Sequence, residues 1–544
     1  MARARHKASP TDRHARKIAA AIANGRSPAP TPDLESYLES SPHEMLAAFE
    51  GAARNMPPAG SDEALAFAYL FLLQGLLERL RYRTDNGYAD AADLIADFQA
   101  EVAARAEAGH VDGPMLAYVA AALHQAKIPV SPELAEVSAK QPLDDDDGDD
   151  ESLPADVSTA LGGLLDTCGG DPFMLVGSLA ELGHAMPGDA RATLAASFAL
   201  GDRPDARSVA VLFLLDADAV VRRAVAGALA RVASALSPTE LRRLIAIRNW
   251  RPENERAEID AVIRNARLAG VDCARWDAGG ADMILATAID GAAAQGFLLV
   301  SPAGRKKRVS SILTKGGISD AWSGDPESSR RVDATVAESR MNTPLIAASR
   351  PYLDRVVAHN LALSIEKGEV SPPGLLQVAE TLGGADWRPE RMNFSETLAG
   401  LIAEIPEAMR SSAAVDTLLR RSGELAELAA ISQAWFEDDP ETARVVAGAR
   451  GPGRAKLATY LLQTIIARRR DKWADMFLRM ALWMREAPAE AGLCWRELAI
   501  VTKALADGRD LTEIGLMQDI ARRTVAVLAS TRSIIAMGPT AARR

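Results

Sequence analysis

Four consecutive cations, Arg305, Lys306, Lys307 and Arg308, interrupt the stretch QGFLLVSPAGRKKRVSSILTKGGISDAW between Gln295 and Trp322. Clustered guanidinium and ammonium groups can neutralise phosphates or receive carboxylates. A second cationic stretch runs from Arg203 to Arg251 and holds Arg203, Arg207, Arg222, Arg223, Arg231, Arg242, Arg243, Arg248 and Arg251. The same span carries only Asp205, Asp216, Asp218 and Glu240 as acids. Arg222, Arg223, Arg242, Arg243 and Arg248 therefore join the four consecutive cations as candidate partner-binding residues. Glu253, Glu255 and Glu258 follow closely and can pair with part of this set. Few aromatics interleave with these arginines, which disfavours single-stranded nucleic acid, where bases stack on aromatic rings.

Other chemistry is sparse. The 7 histidines are scattered, with no HxxxH or HExxH spacing. The 3 cysteines, Cys168, Cys273 and Cys494, are far apart and lack metal-ligand spacing. No metal site, cofactor or catalytic residue is expected. There is no GxSxG, and no Cys or His stands in an activating context. The turn GPGRAK, Gly451 to Lys456, can offer backbone N–H groups to an anion, but it lacks the length and the Ser or Thr of a nucleotide-binding loop. Trp473, Met476, Phe477, Met480, Trp483 and Met484 recur at helical spacing. That stripe reads as packed core, with Leu482, Cys494 and Trp495 beside it, or else as a partner groove edged by Arg468, Arg469, Arg470 and Lys472.

The elements that must position these residues are mainly helical. The chain has 544 residues, 48% of them hydrophobic and only 5% aromatic, with much of the apolar content in Ala and Leu. That composition favours helix over β-sandwich. The length calls for several domains. The net charge of -11 argues against a general nucleic-acid coat, though it says little of local patches. Sparse, unpaired cysteines suit a reducing compartment, so a soluble cytoplasmic protein is expected. The basic N-terminus lacks the apolar core of a signal peptide. The apolar run Ala64–Leu80 is broken by Gln74 and Gly75 and falls short of the roughly 20 residues of a membrane span, so it reads as a buried helix.

Residues 1–32 read as a disordered basic tail, and 33–140 as an N-terminal helical domain with long helices over Asp62–Arg81 and Ala89–Ala108. Ser41-Pro42-His43-Glu44 reads as a capping box and Ser131-Pro132-Glu133 as a second helix start. The run QPLDDDDGDDESLP reads as an acidic linker over 141–154, or as a tether competing for a basic groove. From 155 to 275 short helices alternate with tight joints at a spacing of roughly 35–40 residues, the mark of a solenoid. A β-meander module follows over 276–325, with its strands near 281–314. GGISDAW reads as its close, with Ser319 or Asp320 capping the next helix. Residues 326–540 return to helix, with a clear start at Asp439-Pro440.

The segment DADAVVRRAVAGALARV resembles the second helix of a HEAT repeat. Asp216 and Asp218 stand at its turn, Val221 and Arg222 form the Val-Arg pair, and Ala224, Ala226, Ala228 and Leu229 complete the pattern. The resemblance implies a scaffold fold and a partner-binding style rather than an activity. HEAT-like repeats also occur in a class of DNA glycosylases, which need a carboxylate beside a cationic groove, and no such carboxylate can be placed here. The expected fold is all-α, a solenoid or bundle of stacked helical hairpins with the small antiparallel meander inserted. The expected role is a non-enzymatic scaffold or adaptor for a protein partner, an acidic one among the options, with no membrane contact. A nucleic-acid-associated protein using the Arg-rich face is the alternative, and an enzyme without a recognisable motif is the third reading.

Overall fold

The computed structural model describes residues 9–23, 31–56, 62–85, 88–140, 157–183, 188–201, 203–276, 279–428, 431, 434–437, 439–449, 453–487 and 494–536. The acidic run 141–154 and the Gly451-Pro452 turn lie outside them. The chain forms two compact units. One comprises Met1–Ala155, Gly177–Arg191 and Arg532–Arg544; the other comprises Asp156–Val176 and Ala192–Thr531.

The described residues of the first unit are mainly helical, and its first segment holds α1 (Pro10–Ala23), α2 (Pro32–Ser40), α3 (Met45–Asn55), α4 (Glu63–Asp85), α5 (Ala89–Glu107), α6 (Gly113–Gln125) and α7 (Pro132–Lys140). The apolar run that opens α4 lies at its centre, with Leu72, Leu73, Leu76, Leu77 and Leu80 fully buried in the core. Among the described residues no helix is long and apolar enough to cross a membrane. α3 passes close to α4, because Gly51 lies against the Tyr69 ring where a Cβ would have no room.

Two expectations need correction here. The tail is not wholly irregular, because α1 buries Ala15 and Ile18 and packs Ala19 and Ile22 on the same core. Those residues make an apolar stripe at helical spacing that the surrounding arginines obscure. Tyr69 then donates to Asp12 at 2.6 Å and holds the helix down. Ser41 does not cap by its side chain; a single 3₁₀ turn, Pro42–Glu44, intervenes before α3. The Glu44 carboxylate that would close the box accepts from Thr11 instead, at 2.8 Å. Ser131 does cap α7, accepting from Leu134 N–H at 3.2 Å.

The second unit begins with α8 (Val157–Thr167) and the first turns of α9 (Pro172–Gly183). It continues through most of α10 (Gly188–Leu200), then α11 (Pro204–Leu212), α12 (Ala219–Arg231), α13 (Pro238–Asn249) and α14 (Arg256–Leu268). Asp218 caps α12 through the Val220 N–H at 2.8 Å, and Ser237 with Glu240 forms a full capping box on α13. α12 packs on α11 and α14, and α13 packs on α11 and α14.

A five-stranded antiparallel sheet follows: β1 (Met283–Thr287), β2 (Ala294–Ala303), β3 (Lys306–Lys315), β4 (Ile318–Ser323) and β5 (Leu345–Ala347), in the order β4-β3-β2-β1-β5. The protein is thus mostly helical with one small antiparallel sheet, as expected, though the sheet extends beyond the expected 281–314 to β5. GGISDAW, expected to restart helix, forms β4 instead. Its side chains alternate between the two faces, with Trp322 opposite Ser311 and Ala321 opposite Ile312, and its entrance is fixed by α16 (Arg350–Lys367). There Asn360 accepts the Gly317 N–H and Ser364 the Ile318 N–H. The next helix is α15 (Ser329–Asn342), capped by Ser328.

After α16 come α17 (Pro373–Thr381), α18 (Phe394–Ala403) and a C-terminal helical region. In the helix Arg470–Glu486 the aromatic and Met stripe is core: Trp473, Met476, Phe477, Met480, Trp483 and Met484 are each at most 1% exposed. Leu482 is buried with them, whereas Cys494 is exposed and Trp495 half-buried beside Arg485 and Arg496. Trp483 donates to Ala286 O at 3.0 Å and Trp435 to Ile289 O at 2.9 Å, tying β1 and the loop after it to these helices. Asp439 caps the helix Pro440–Gly448, as its sequence implies.

Candidate functional site

The sheet carries the candidate site. β2 and β3 form the expected hairpin around the two-residue loop Gly304-Arg305, with Ala303 opposite Lys306 and Ser301 opposite Arg308. Gly304 takes φ +63°, which a side chain would resist. Between β1 and β2, Asp290 organises the loop by accepting from the N–H groups of Ala292 and Ala294.

Residues opposite one another share a face, so the register sorts the side chains. One face presents Phe297, Leu299 and Ile312, all buried, together with Gln295 and Thr314. Gln295 and Tyr352 hydrogen-bond beneath it, at 2.9 and 3.2 Å, and burial pushes the Tyr352 hydroxyl well above its ordinary pKa. His359 lies close by in the same buried polar pocket. The other face presents Leu285, Leu298, Val300, Val309, Leu313 and Trp322. α15 covers only part of it, burying Val332 and Val336 against Leu285 and Val300. Farther along β3 and β4 the face is open, with Leu313 41% and Trp322 45% exposed.

The sheet edges are less available than the face. α17 crosses the outer edge of β4 so closely that a Cβ on Gly374 would fall 1.8 Å from Ala321 O. Gly374→Ala is therefore expected to cost about 2 kcal/mol through overpacking. An unchanged urea midpoint would show that α17 does not sit on this edge. The opposite edge strand, β5, has only 3 residues.

The candidate cations divide into two groups. In the helical part most are matched to acids. Arg222 donates to Glu255 at 3.0 and 3.2 Å, and also to Asp216 O and Ala217 O. Arg243, only 7% exposed, makes a two-pronged pair with Glu380 at 2.6 and 3.0 Å and lies over the Phe173 ring. Arg248 pairs with Asp260 and holds that carboxyl below its usual range. Arg223 is exposed. Arg222 and Arg223 border one depression and Arg242 and Arg243 another, with no residue in common. In the hairpin, Arg305 and Lys306 are exposed and Lys307 and Arg308 half-buried. None of these four forms an ion pair among the described residues. The neighbouring acid Glu327 pairs with Arg331 at 2.8 Å instead.

A separate cleft of about 570 Å³ is lined by Arg350, Asp354, Trp387, Arg388, Glu390 and Arg391, among others. Three of its guanidiniums are already matched: Arg350 to Asp354, Arg388 to Asp386 and Arg391 to Glu366. No group of three or more His, Cys, Asp or Glu able to hold a metal occurs among the described residues.

Two segments match family models. Residues 187–270 match the one described as the Y4lR second domain, and residues 395–529 the one described as the Y4lR C-terminal helical domain. The first spans α10–α14 and the second starts within α18, so the sheet lies between the matched segments. The chain is also 25% identical to "Uncharacterized protein y4lR" of Sinorhizobium fredii (strain NBRC 101917 / NGR234) over 507 residues, 90% of this chain and 94% of the relative. The likeness thus runs nearly end to end and includes the sheet region. No solved structure matches.

Proposed function

We propose that this protein is a non-enzymatic scaffold that binds a protein partner, with the helices of 155–275 stacked as HEAT-like repeats and the small sheet as its contact element. A cytoplasmic site of action accords with its free cysteines. The observation that carries the reading is the open sheet face. A sheet that served only as a spacer would bury both faces, yet Leu313 and Trp322, diagonal neighbours on the same face, are 41% and 45% exposed. Exposed large apolar side chains that adjoin one another mark contact surfaces, and Trp is a frequent anchor there. The unpaired cations at the end of the same hairpin favour a partner of opposite charge.

The test is affinity capture from native lysate with the wild type and a Leu313→Ser/Trp322→Ser variant, at low and high salt, with nucleic acid assayed in the eluate. Both side chains are exposed, so the variant should fold normally, and circular dichroism checks this. A defined protein held by the wild type and lost at least tenfold in the variant is the expected result. A partner retained equally by both would sink the reading, as would an eluate whose only specific component is salt-released nucleic acid.

A further inference from the structure

We propose that the β2–β3 hairpin end recognises the carboxylates of an extended acidic protein segment, with Arg308 as its anchor. This rests on the scaffold reading and adds the chemistry of the partner. The first observation is the contrast in pairing. In a chain with 73 acidic residues, Arg222, Arg243, Arg248 and Arg251 each find a carboxylate, yet Arg305, Lys306, Lys307 and Arg308 find none among the described residues. The second is burial without compensation. Arg308 Nε is shut off from solvent with no hydrogen-bond partner, and so is the Oγ of Ser301, its opposite number on β2. A guanidinium half-removed from water with no counter-charge is costly, and an incoming carboxylate would offset that cost.

The geometry narrows the ligand. Lys306 and Arg308 lie two residues apart on one strand and so point to the same face, about 7 Å from one another along β3. Carboxylates at alternate positions of an extended peptide have the same spacing, so an Asp-x-Asp segment can present one acid to each. Arg308 then swings its fork onto one carboxylate, and the Ser301 hydroxyl, freed on the same face, can donate to it as well. Trp322 lies on the opposite face of the sheet, so among the described residues no exposed aromatic is placed beside these two cations to stack a base. That favours a peptide over a nucleic-acid strand.

The experiment measures fluorescence anisotropy of a labelled Gly-Asp-Ser-Asp-Ser-Asp-Gly peptide on the full-length protein, with the Asp→Asn peptide and a twelve-residue oligothymidylate as parallel probes. The Asp peptide should bind saturably and the Asn peptide should not. Arg308→Lys keeps the charge but loses the fork, and should weaken binding roughly tenfold. Ser301→Ala should weaken it about threefold, and Arg267→Ala, which removes an exposed cation of α14 outside the binding set, should leave it unchanged. If Arg308→Lys binds as the wild type does, the anchor is wrong. The scaffold reading then still stands or falls on the Trp322 variant. Absence of peptide binding overturns the proposal, as does oligothymidylate binding more tightly than the peptide with the same sensitivity to Arg308→Lys.

Discussion

Glu437→Ala should destabilise the C-terminal helical region by about 3–5 kcal/mol, the range expected when one member of a buried charge group is removed. Glu437 is 1% exposed. Its carboxylate accepts from Trp473 Nε1 at 2.6 Å, Arg469 at 2.7 Å and Lys472 at 3.1 Å. Its own N–H donates to Thr524 Oγ1 at 3.0 Å, which ties the last long helix to the group. Without the carboxylate the indole N–H of Trp473 is left buried and unmatched, and Lys472 loses its acid. Arg469 keeps Asp439, 2.7 Å away. Burial alone would raise the Asp439 carboxyl, but Arg469 and Thr442 hold it below its ordinary value, so that pair persists. Glu437→Gln retains an acceptor for Trp473 and should cost less, about 1–2 kcal/mol. The readout is urea unfolding followed by tryptophan fluorescence, because Trp435 stacks on Phe477 at 5.1 Å beside Trp473. Equal midpoints for wild type and Glu437→Ala would remove this cluster as a determinant of the region.

What could be read from the sequence was what is decided locally. The capping box Ser237–Glu240 and the Asp439 cap need only neighbouring residues, and both form. The hairpin turn at Gly304 is local too, and so is the helical spacing of the Trp473–Met484 stripe. β4 was not legible, because Ser319 and Asp320 suit a helix cap as well as a strand. The choice was made by Asn360 and Ser364, far along the chain, which take the N–H groups at its entrance. β5, with 3 residues, is too short to leave a periodic signal. The candidate site was legible as a list of cations but not as a surface. Arg243 and Glu380 meet across 137 residues of chain, so nothing in the Arg-rich stretch announces that this guanidinium is already matched. The absence of such partners for Arg305–Arg308 among the described residues, and the open face at Trp322, emerge only once the fold brings or fails to bring acids and helices to them.

A second large effect is expected from pH. His359 on α16 is 5% exposed, and its Nδ1 accepts the Met392 N–H at 3.1 Å, so the ring is held neutral. Burial lowers its pKa from 6.5 to about 4, and the charges of Arg479 and Arg391 reinforce this against the opposing pull of Asp475. Arg479 is itself engaged by Asp475 at 2.9 Å and does not leave to make room for a second cation. Between the two pKa values the unfolded chain holds the extra proton, so stability rises with pH there. The contribution is complete above pH 6.5 and is lost progressively as the pH falls to about 4. Each pH unit in that interval is worth about 1.4 kcal/mol, so the loss amounts to ~3 kcal/mol. The ring borders the pocket that also contains Gln295 and Thr314 of the sheet, so the buried face of the sheet should loosen first. His359→Gln keeps an acceptor near Met392 without a titrating group. Its urea midpoint should fall less than that of the wild type between pH 7 and pH 4.5, and parallel slopes for the two proteins would show that His359 is not what makes the fold acid-sensitive.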